Sequence, residues 1–194
     1  TQHSLEDLFV MRGDLPDEEF VSKQAMLFSD KGEKTIRLLP REQLKGEKQL
    51  ARFRKLYEKE RQYYPELSEL QEAEEGMYYY REHLERTTLK AHVQRIGLTT
   101  KLRLEDLSSQ ELKFILQIFK EVQDLPVTHA NLNEETILIL ARRKWNLQKN
   151  VEIKIVGFTV KDTTKEAMVE SIHAMFARLL GDKFYQDFRT KFSL

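Results

Sequence analysis

Polar side chains that can take part in chemistry gather in one stretch, between Pro126 and a short apolar run at 137–139. The stretch holds His129, Asn131 and Thr136, which supply an imidazole, an amide and a hydroxyl. The chain has no cysteine, which removes disulfides, thiolate zinc sites and cysteine nucleophiles together. Its five histidines show no metal-ligand spacing, so we expect no metal site.

Clear helix and strand signals precede and follow this stretch. Ser108 and Glu111 form a capping box, which predicts a helix that ends before Pro126. Residues 136–141 are a continuous apolar run, which is typical of a buried strand. The polar stretch is therefore expected to be a loop between a helix and a strand.

The last part of the chain predicts a strand and two helices. Residues 151–160 indicate a strand whose apolar phase changes at Gly157, so we expect an irregular backbone there. Thr163 and Glu166 predict the cap of a long helix that ends at Gly181. Phenylalanines at a spacing of four then predict a short terminal helix: Phe184, Phe188 and Phe192.

The first half of the chain predicts strands followed by a helix. Residues 25–39 indicate two short strands, and residues 44–64 carry apolar side chains at helical spacing. Residues 66–97 suit one long amphipathic helix, but they contain Gly76 and the β-favouring cluster Met77-Tyr78-Tyr79-Tyr80. The order of elements predicts an α+β fold, because strands and helices do not alternate regularly.

Two motifs in the second half resemble those of protein kinases. His129-Ala130-Asn131-Leu132, followed by the strand at 137–139, is similar to the catalytic loop H-R-D-L-x-x-x-N. Gly157-Phe158-Thr159 is similar to the D-F-G motif. His129, Leu132 and Phe158 are the residues that the resemblance retains. We expect the ring of His129 to be structural, with hydrogen bonds to nearby backbone.

The resemblance implies a bilobal protein-kinase-like fold, with a small β-rich N-lobe and a shortened helical C-lobe. Residues 1–86 would form the N-lobe, with 44–64 as helix C and a hinge at about 81–86. Residues 87–194 would form the C-lobe. The middle segment would then contain a strand and the hinge in place of one long helix.

The residues that phosphoryl transfer requires in that family are replaced in this chain. The resemblance puts Asn131 at the catalytic aspartate, and an amide cannot accept the substrate proton at neutral pH. It puts Thr136 and Gly157 at the two metal-binding positions. The base and both magnesium ligands are therefore missing together.

The expected phosphate-binding parts of the N-lobe also differ from the family pattern. Arg37 stands at the lysine of the third strand, and arginine is not an equivalent phosphate anchor. Its partner on helix C is either Glu58 or Glu60, which the sequence leaves open. The loop at 13–19 would be the glycine-rich loop, but it has one glycine, a proline and four acids, which disfavours a triphosphate.

These replacements predict a pseudokinase, which is not an enzyme and has no cofactor, while ATP binding without metal stays open. The chain starts at Thr1 without a methionine, so we expect it to be a piece of a larger protein. It would act there as a scaffold or allosteric regulator, with an active kinase domain as its protein partner in cis or in trans. A homodimer is an open alternative.

Composition and charge restrict the partners. The chain has 32 Lys and Arg residues and 32 Asp and Glu residues, and this balance argues against nucleic acid as the main ligand. No apolar run approaches the roughly 20 residues of a membrane span, and we expect a cytoplasmic protein. A basic patch with an aromatic residue is a candidate partner-binding loop: Arg142, Arg143, Lys144 and Trp145.

Two other functions remain open at this point. The first is a minimal or atypical kinase of the effector type, with a rearranged nucleotide site. The second is a helical protein-interaction module, in which the kinase resemblance is accidental and residues 66–97 are a continuous helix.

Overall fold

The computed structural model describes residues 2–84, 87–140 and 151–194, and the chain divides into two compact units. The first unit comprises Thr1–Leu84 together with the tripeptide Phe158–Val160. The second unit comprises Glu85–Gly157 and Lys161–Leu194. Both contain helices and antiparallel strands, so the fold is α+β.

The first unit is built on a five-stranded antiparallel sheet with the strand order β1-β2-β3-β5-β4. Helix α2 lies between β3 and β4 in the chain. Its elements are α1 (Leu5–Leu8), β1 (Phe9–Leu15), β2 (Val21–Leu27), β3 (Glu33–Pro40), α2 (Glu47–Tyr63), β4 (Gln71–Ala73) and β5 (Gly76–Glu82).

Both faces of this sheet bury side chains. On one face Tyr79 of β5 packs against α2, with its ring centroid 5.3 Å from that of Phe53 and 5.1 Å from that of Tyr57. Arg37 is the β3 partner of Tyr79 in the strand register, so it lies on this same face. The other face carries a second apolar cluster: Leu5, Phe9, Ala25, Ile36, Leu38, Ala73 and Tyr78.

Strands β4 and β5 lie within residues 66–97, so the alternative of a continuous helix over that segment is wrong. Gly76 begins β5 with a φ of +145°, and a Cβ there would lie 2.0 Å from the carbonyl oxygen of Leu39. Only glycine permits this close approach of β5 to β3. Tyr78 and Tyr79 are core residues of β5, and a wholly helical module does not describe this fold.

The second unit combines a three-stranded antiparallel sheet, in the order β6-β7-β8, with four α-helices among its described residues. Aromatic side chains connect the long helices; the rings of Phe119 and Phe176 stack with centroids 5.7 Å apart. Its elements are β6 (Thr87–Thr88), α3 (Leu89–Arg95), α4 (Ser109–Gln123), β7 (Ile137–Leu140), β8 (Glu152–Ile155), α5 (Lys165–Leu180) and α6 (Asp182–Phe192).

Two predicted boundaries in this unit are wrong. Strand β8 ends at Ile155, whereas the sequence predicted a strand over 151–160. Gly157 has a φ of +76°, which breaks the extended backbone. Helix α5 is capped by Thr164, which accepts a hydrogen bond from the backbone N–H of Ala167, and not by Thr163 as predicted.

The capping box of Ser108 and Glu111 on α4 is confirmed, as is the terminal helix α6. Phe184 and Phe188 of α6 are buried in the second unit. Within the described residues, no helix has both the length and the apolar composition that crossing a bilayer requires.

Candidate functional site

Arg37 is the centre of a buried polar cluster in the first unit. Its guanidinium donates from Nε and Nη2 to the two carboxylate oxygens of Asp17, over 2.9 and 3.2 Å. Nη1 donates to Glu60 Oε1 at 2.5 Å and to the carbonyl oxygen of Phe158 at 3.0 Å. We call these four residues the arginine cluster. It joins β3, the β1–β2 loop, α2 and the 158–160 tripeptide.

The cluster identifies which α2 carboxylate pairs with Arg37. Glu60 is buried, whereas the side chain of Glu58 is 64% exposed and lies 3.9 Å from Arg61 on the same helix. Glu60 follows Phe53 by seven residues and Tyr57 by three, so it occupies the apolar face of the helix. That spacing is the sequence signal that distinguishes it from Glu58.

Asp17 accepts hydrogen bonds from its own loop and from Ser22 at the start of β2. The backbone N–H groups of Glu19 and Phe20 each lie 3.0 Å from Asp17 Oδ1, and the hydroxyl of Ser22 donates to Oδ2 at 2.6 Å. Burial alone would raise the pKa of the carboxyl, but Arg37 and these donors outweigh burial and lower the pKa to about 2. Asp17 is therefore ionised at neutral pH.

The net effect on Arg37 is also to keep it charged. Burial disfavours the guanidinium cation, but the adjacent carboxylates of Glu60 and Asp17 outweigh that cost and raise its pKa. A buried arginine between two carboxylates has its donors directed at fixed partners. The cluster is thus a closed ion network, formed entirely by this chain.

The tripeptide 158–160 is held in the first unit by its main chain and by one aromatic ring. Phe158 is fully buried, with its ring centroid 5.3 Å from that of Tyr63 and 5.9 Å from that of Tyr64. Lys59 Nζ donates to the carbonyl oxygen of Thr159 at 3.0 Å. The N–H of Val160 donates to Glu19 Oε1 at 3.1 Å.

Sequence reasoning missed Asp17, Glu19 and Lys59 as members of this arrangement. Asp17 and Glu19 stand among the four acids of the loop at 13–19, and Lys59 stands among the many charged residues of the helix at 44–64. Lys59 is in fact 7% exposed. Its position beside Glu60 was the available signal, because α2 brings both residues to its buried side.

In the second unit, His129 fixes the loop before β7. Its Nδ1 accepts from the backbone N–H of Asn131 at 3.0 Å, and its Nε2 lies 2.8 Å from the carbonyl oxygen of Val156. An acceptor at Nδ1 and a donor at Nε2 define a neutral ring with its proton on Nε2. The expected hydrogen bonding of His129 to nearby backbone is confirmed, and Leu132 is buried beside it in the same loop.

Asn131, Thr136 and Gly157 come together in this unit. A Cβ built on Gly157 would meet Thr136 Cγ2 at 3.0 Å and Asn131 Nδ2 at 3.8 Å. The hydroxyl of Thr136 donates to the carbonyl oxygen of Asn131 at 2.8 Å. We call these three residues the loop triad. It offers an amide, a hydroxyl and a bare backbone, with no carboxylate among its members.

Acidic residues next to the loop triad have other roles. Glu134 pairs with Arg178 of α5 at 2.8 Å, and Glu135 is an exposed partner of Lys90 at 3.8 Å. Across the three described segments, no group of three or more His, Asp or Glu side chains is arranged to hold a metal ion. The geometry of the triad therefore supports hydrogen bonding more than metal chemistry.

Two predicted features fall partly or wholly outside the described residues. The basic patch Arg142, Arg143, Lys144 and Trp145 lies wholly outside them. Of the predicted hinge at about 81–86, Arg81 and Glu82 belong to β5, and residues 85 and 86 lie outside the described residues.

No protein family model matches this chain, and no curated protein matches it.

Proposed function

We propose that this chain is a catalytically inactive kinase-like domain that acts as a scaffold or allosteric regulator of an active kinase domain. The observation that carries the proposal is the loop triad. Asn131, Thr136 and Gly157 meet in space, as the base and the two metal-binding groups of a kinase must, and none of them is a carboxylate.

The chemistry of the triad argues against phosphoryl transfer. An amide at Asn131 cannot take the proton of an attacking hydroxyl, and Gly157 has no side chain to bind magnesium. The metal ions neutralise the charge that develops on the transferred group, so their loss costs orders of magnitude in rate. Three simultaneous replacements leave no residue of the triad to compensate.

The first unit supports the kinase-like part of the proposal. Its sheet has a helix inserted between the third and fourth strands, and that helix supplies Glu60 to a cation on the third strand. Active kinases have a lysine–glutamate pair between the same two elements. In this chain the cation is Arg37, which bridges Glu60 and Asp17.

A regulatory role follows from what such a domain can still do. With the catalytic groups replaced, the remaining capacity is to present its surface to another protein, and a kinase domain in the same polypeptide or in trans is the partner we propose. The proposed partner rests on the resemblance to protein kinases. The proposed absence of catalysis does not depend on it.

A phosphoryl-transfer assay tests the absence of catalysis. The chain is incubated with γ-labelled ATP, magnesium or manganese, and a generic protein substrate, and label on protein and free phosphate are measured. We expect the wild type and the Asn131→Ala variant to match a protein-free blank. Transfer that the wild type performs and Asn131→Ala loses would establish the alternative, an atypical kinase with a rearranged site.

A further inference from the structure

The β1–β2 loop is folded around a carboxylate of its own. Asp17 Oδ1 receives the N–H groups of Glu19 and Phe20 and one guanidinium N–H of Arg37. Asp17 Oδ2 receives the Ser22 hydroxyl and a second guanidinium N–H. Five donors therefore converge on two oxygen atoms, and the side chain of Asp17 is only 2% exposed.

This donor set is that of an oxyanion site. Successive backbone N–H groups in a turn form a concave anion-binding surface, and a hydroxyl and a forked guanidinium complete the recognition of phosphate or carboxylate. Here the anion is covalently part of the loop. A free phosphate has no access to these donors while Asp17 occupies them.

We propose that Asp17 is the internal ligand of a latent oxyanion site, and that it holds Arg37 and α2 in place without any bound nucleotide. The inference rests on the proposed function only in taking this loop as the part of the fold where a kinase binds phosphates. The low pKa of Asp17 agrees with it, since a carboxylate held by five donors stays ionised.

The charge around the site explains why the internal ligand is needed. Lys59 is a buried cation and the Arg37 side chain is only 13% exposed, while the side chains of Glu60 and Asp17 are carboxylates of the same region at 6% and 2% exposure. Removing Asp17 leaves one positive charge in excess among these four and leaves its donors without an acceptor. A small oxyanion restores both the charge and the hydrogen bonds.

Asp17→Ala with inorganic phosphate tests the inference. Phosphate at roughly ten times its Kd is expected to raise the Tm of this variant by about 3–6 °C relative to chloride of equal ionic strength. The wild type should show no such difference. Asp14→Ala is the matched control, because Asp14 lies in the same hairpin with its side chain 79% exposed.

A second variant identifies the donors that bind the anion. Asp17→Ala combined with Ser22→Ala should lose most of the phosphate-dependent rise, since the hydroxyl donor at 2.6 Å is removed. If Asp17→Ala is unfolded without phosphate, its recovery of native circular dichroism on adding phosphate would equally support the site.

Two outcomes would overturn the inference. One is a folded Asp17→Ala whose Tm responds to phosphate no more than that of Asp14→Ala. The other is an unfolded Asp17→Ala that phosphate does not restore. Neither would affect the proposed absence of catalysis, which is judged on the wild type and ATP. Conversely, phosphoryl transfer by the wild type would overturn the proposed absence of catalysis, but it would not change the phosphate response expected of Asp17→Ala.

Discussion

At the scale of single residues, Arg37 determines how the interior of the first unit is organised. Its guanidinium contacts two carboxylates and a main-chain carbonyl that come from three separate parts of the chain. Breaking a buried ion pair leaves a charge without its partner, which costs much more than losing a pair on the surface. Substituting a buried partner of Arg37 should therefore lower the free energy of unfolding much more than substituting an exposed charged residue nearby.

Glu60→Gln should lower the free energy of unfolding by about 2–4 kcal/mol, because Arg37 loses one of two buried counter-charges but keeps Asp17. Glu58→Gln, two residues away on the exposed side of α2, should change it by less than about 0.5 kcal/mol. Urea denaturation of both variants measures this. Equal effects would show that Glu60 is not the partner of Arg37.

The pH dependence of stability follows from Asp17. Its pKa in the folded chain is about 2, below the usual 3.8, so its contribution is fully present above pH 4 to 5 and is lost as the pH falls towards 2. The loss amounts to about 2 kcal/mol.

We expect the stability difference between wild type and Asp17→Asn to shrink by that amount between about pH 5 and pH 2 in urea titrations. Asp14→Asn, at a side chain that is 79% exposed in the same hairpin, serves as the control for an isosteric amide substitution. A wild-type advantage over Asp17→Asn that does not change with pH would contradict the assignment.

Position 157 requires glycine for two reasons, its backbone conformation and the side chains around it. Gly157→Ala should destabilise the chain by about 1–3 kcal/mol, since an L-residue is strained at a φ of +76° and its Cβ would lie 3.0 Å from Thr136 Cγ2. Gly13→Ala is the control, because nothing lies within 4 Å of its Cβ. It should be neutral or slightly stabilising.

Adding Thr136→Ser to Gly157→Ala separates the two causes, because serine lacks the methyl group that the new Cβ meets. Partial recovery of the free energy of unfolding is expected, with the remainder due to φ. Destabilisation by Gly13→Ala as large as that by Gly157→Ala would show that the chain responds to any added methyl group.

The sequence could identify the chemistry-bearing positions but not their partners. His129 and Asn131 stand out because a polar loop precedes an apolar strand, and Arg37 was identified through the kinase resemblance, which puts it at the lysine of the third strand. Asp17 does not, because three other acids surround it in the sequence and only the fold selects one of them. Contacts between residues 17, 37, 60 and 158 are tertiary, and no local pattern encodes them.

At the scale of elements, a lysine in the first turn of α5 contacts the C-terminal end of α4 in the second unit. Lys165 Nζ donates to the carbonyl oxygens of Val122, Gln123 and Leu125 at 3.0, 2.9 and 2.6 Å. The carbonyls lie at or just beyond the end of α4, where the regular helical hydrogen bonds run out; that of Val122 also accepts from the N–H of Leu125 at 3.3 Å. A cation from the first turn of α5 supplies a further donor to all three. The contact fixes the start of α5 against the end of α4.

Lys165→Met should lower the free energy of unfolding by about 1–3 kcal/mol, because it keeps the aliphatic stem but removes these hydrogen bonds. Lys113→Met, on an exposed position of α4, should change it by less than about 0.5 kcal/mol. Thermal or urea unfolding compares the two. Indistinguishable variants would mean that the Lys165 contacts do not stabilise the helix end.

Elements with strong local signals were predictable, and those defined by tertiary contacts were not. Helix α4 has a capping box and a regular apolar face, and the β2–β3 hairpin has a turn and alternation. Strand β1 was not predicted, because Arg12, Gly13 and Asp14 are exposed and carry no alternation. Strand β8 was predicted too long, because the apolar residues Phe158 and Val160 are buried within the first unit and not by strand pairing.

At the scale of the whole molecule, the chain passes from the second unit to the first and back within a few residues. Gly157 belongs to the second unit with the loop triad, and Phe158–Val160 belongs to the first with the arginine cluster. Each unit thus contains one of the two polar arrangements, and each arrangement is satisfied by groups of the chain itself. This arrangement agrees with the proposed inactive domain, since the carboxylates of the arginine cluster are paired with Arg37 and the loop triad contains none.

The most direct measurement of this claim is the thermal stability of the wild-type chain with ATP, in the presence and absence of magnesium. If both magnesium-binding positions are lost, adding magnesium should change the effect of ATP on the Tm by less than about 1 °C. A concentration-dependent rise of several degrees that requires magnesium would contradict the account, because it would demand a metal site that Thr136 and Gly157 cannot form.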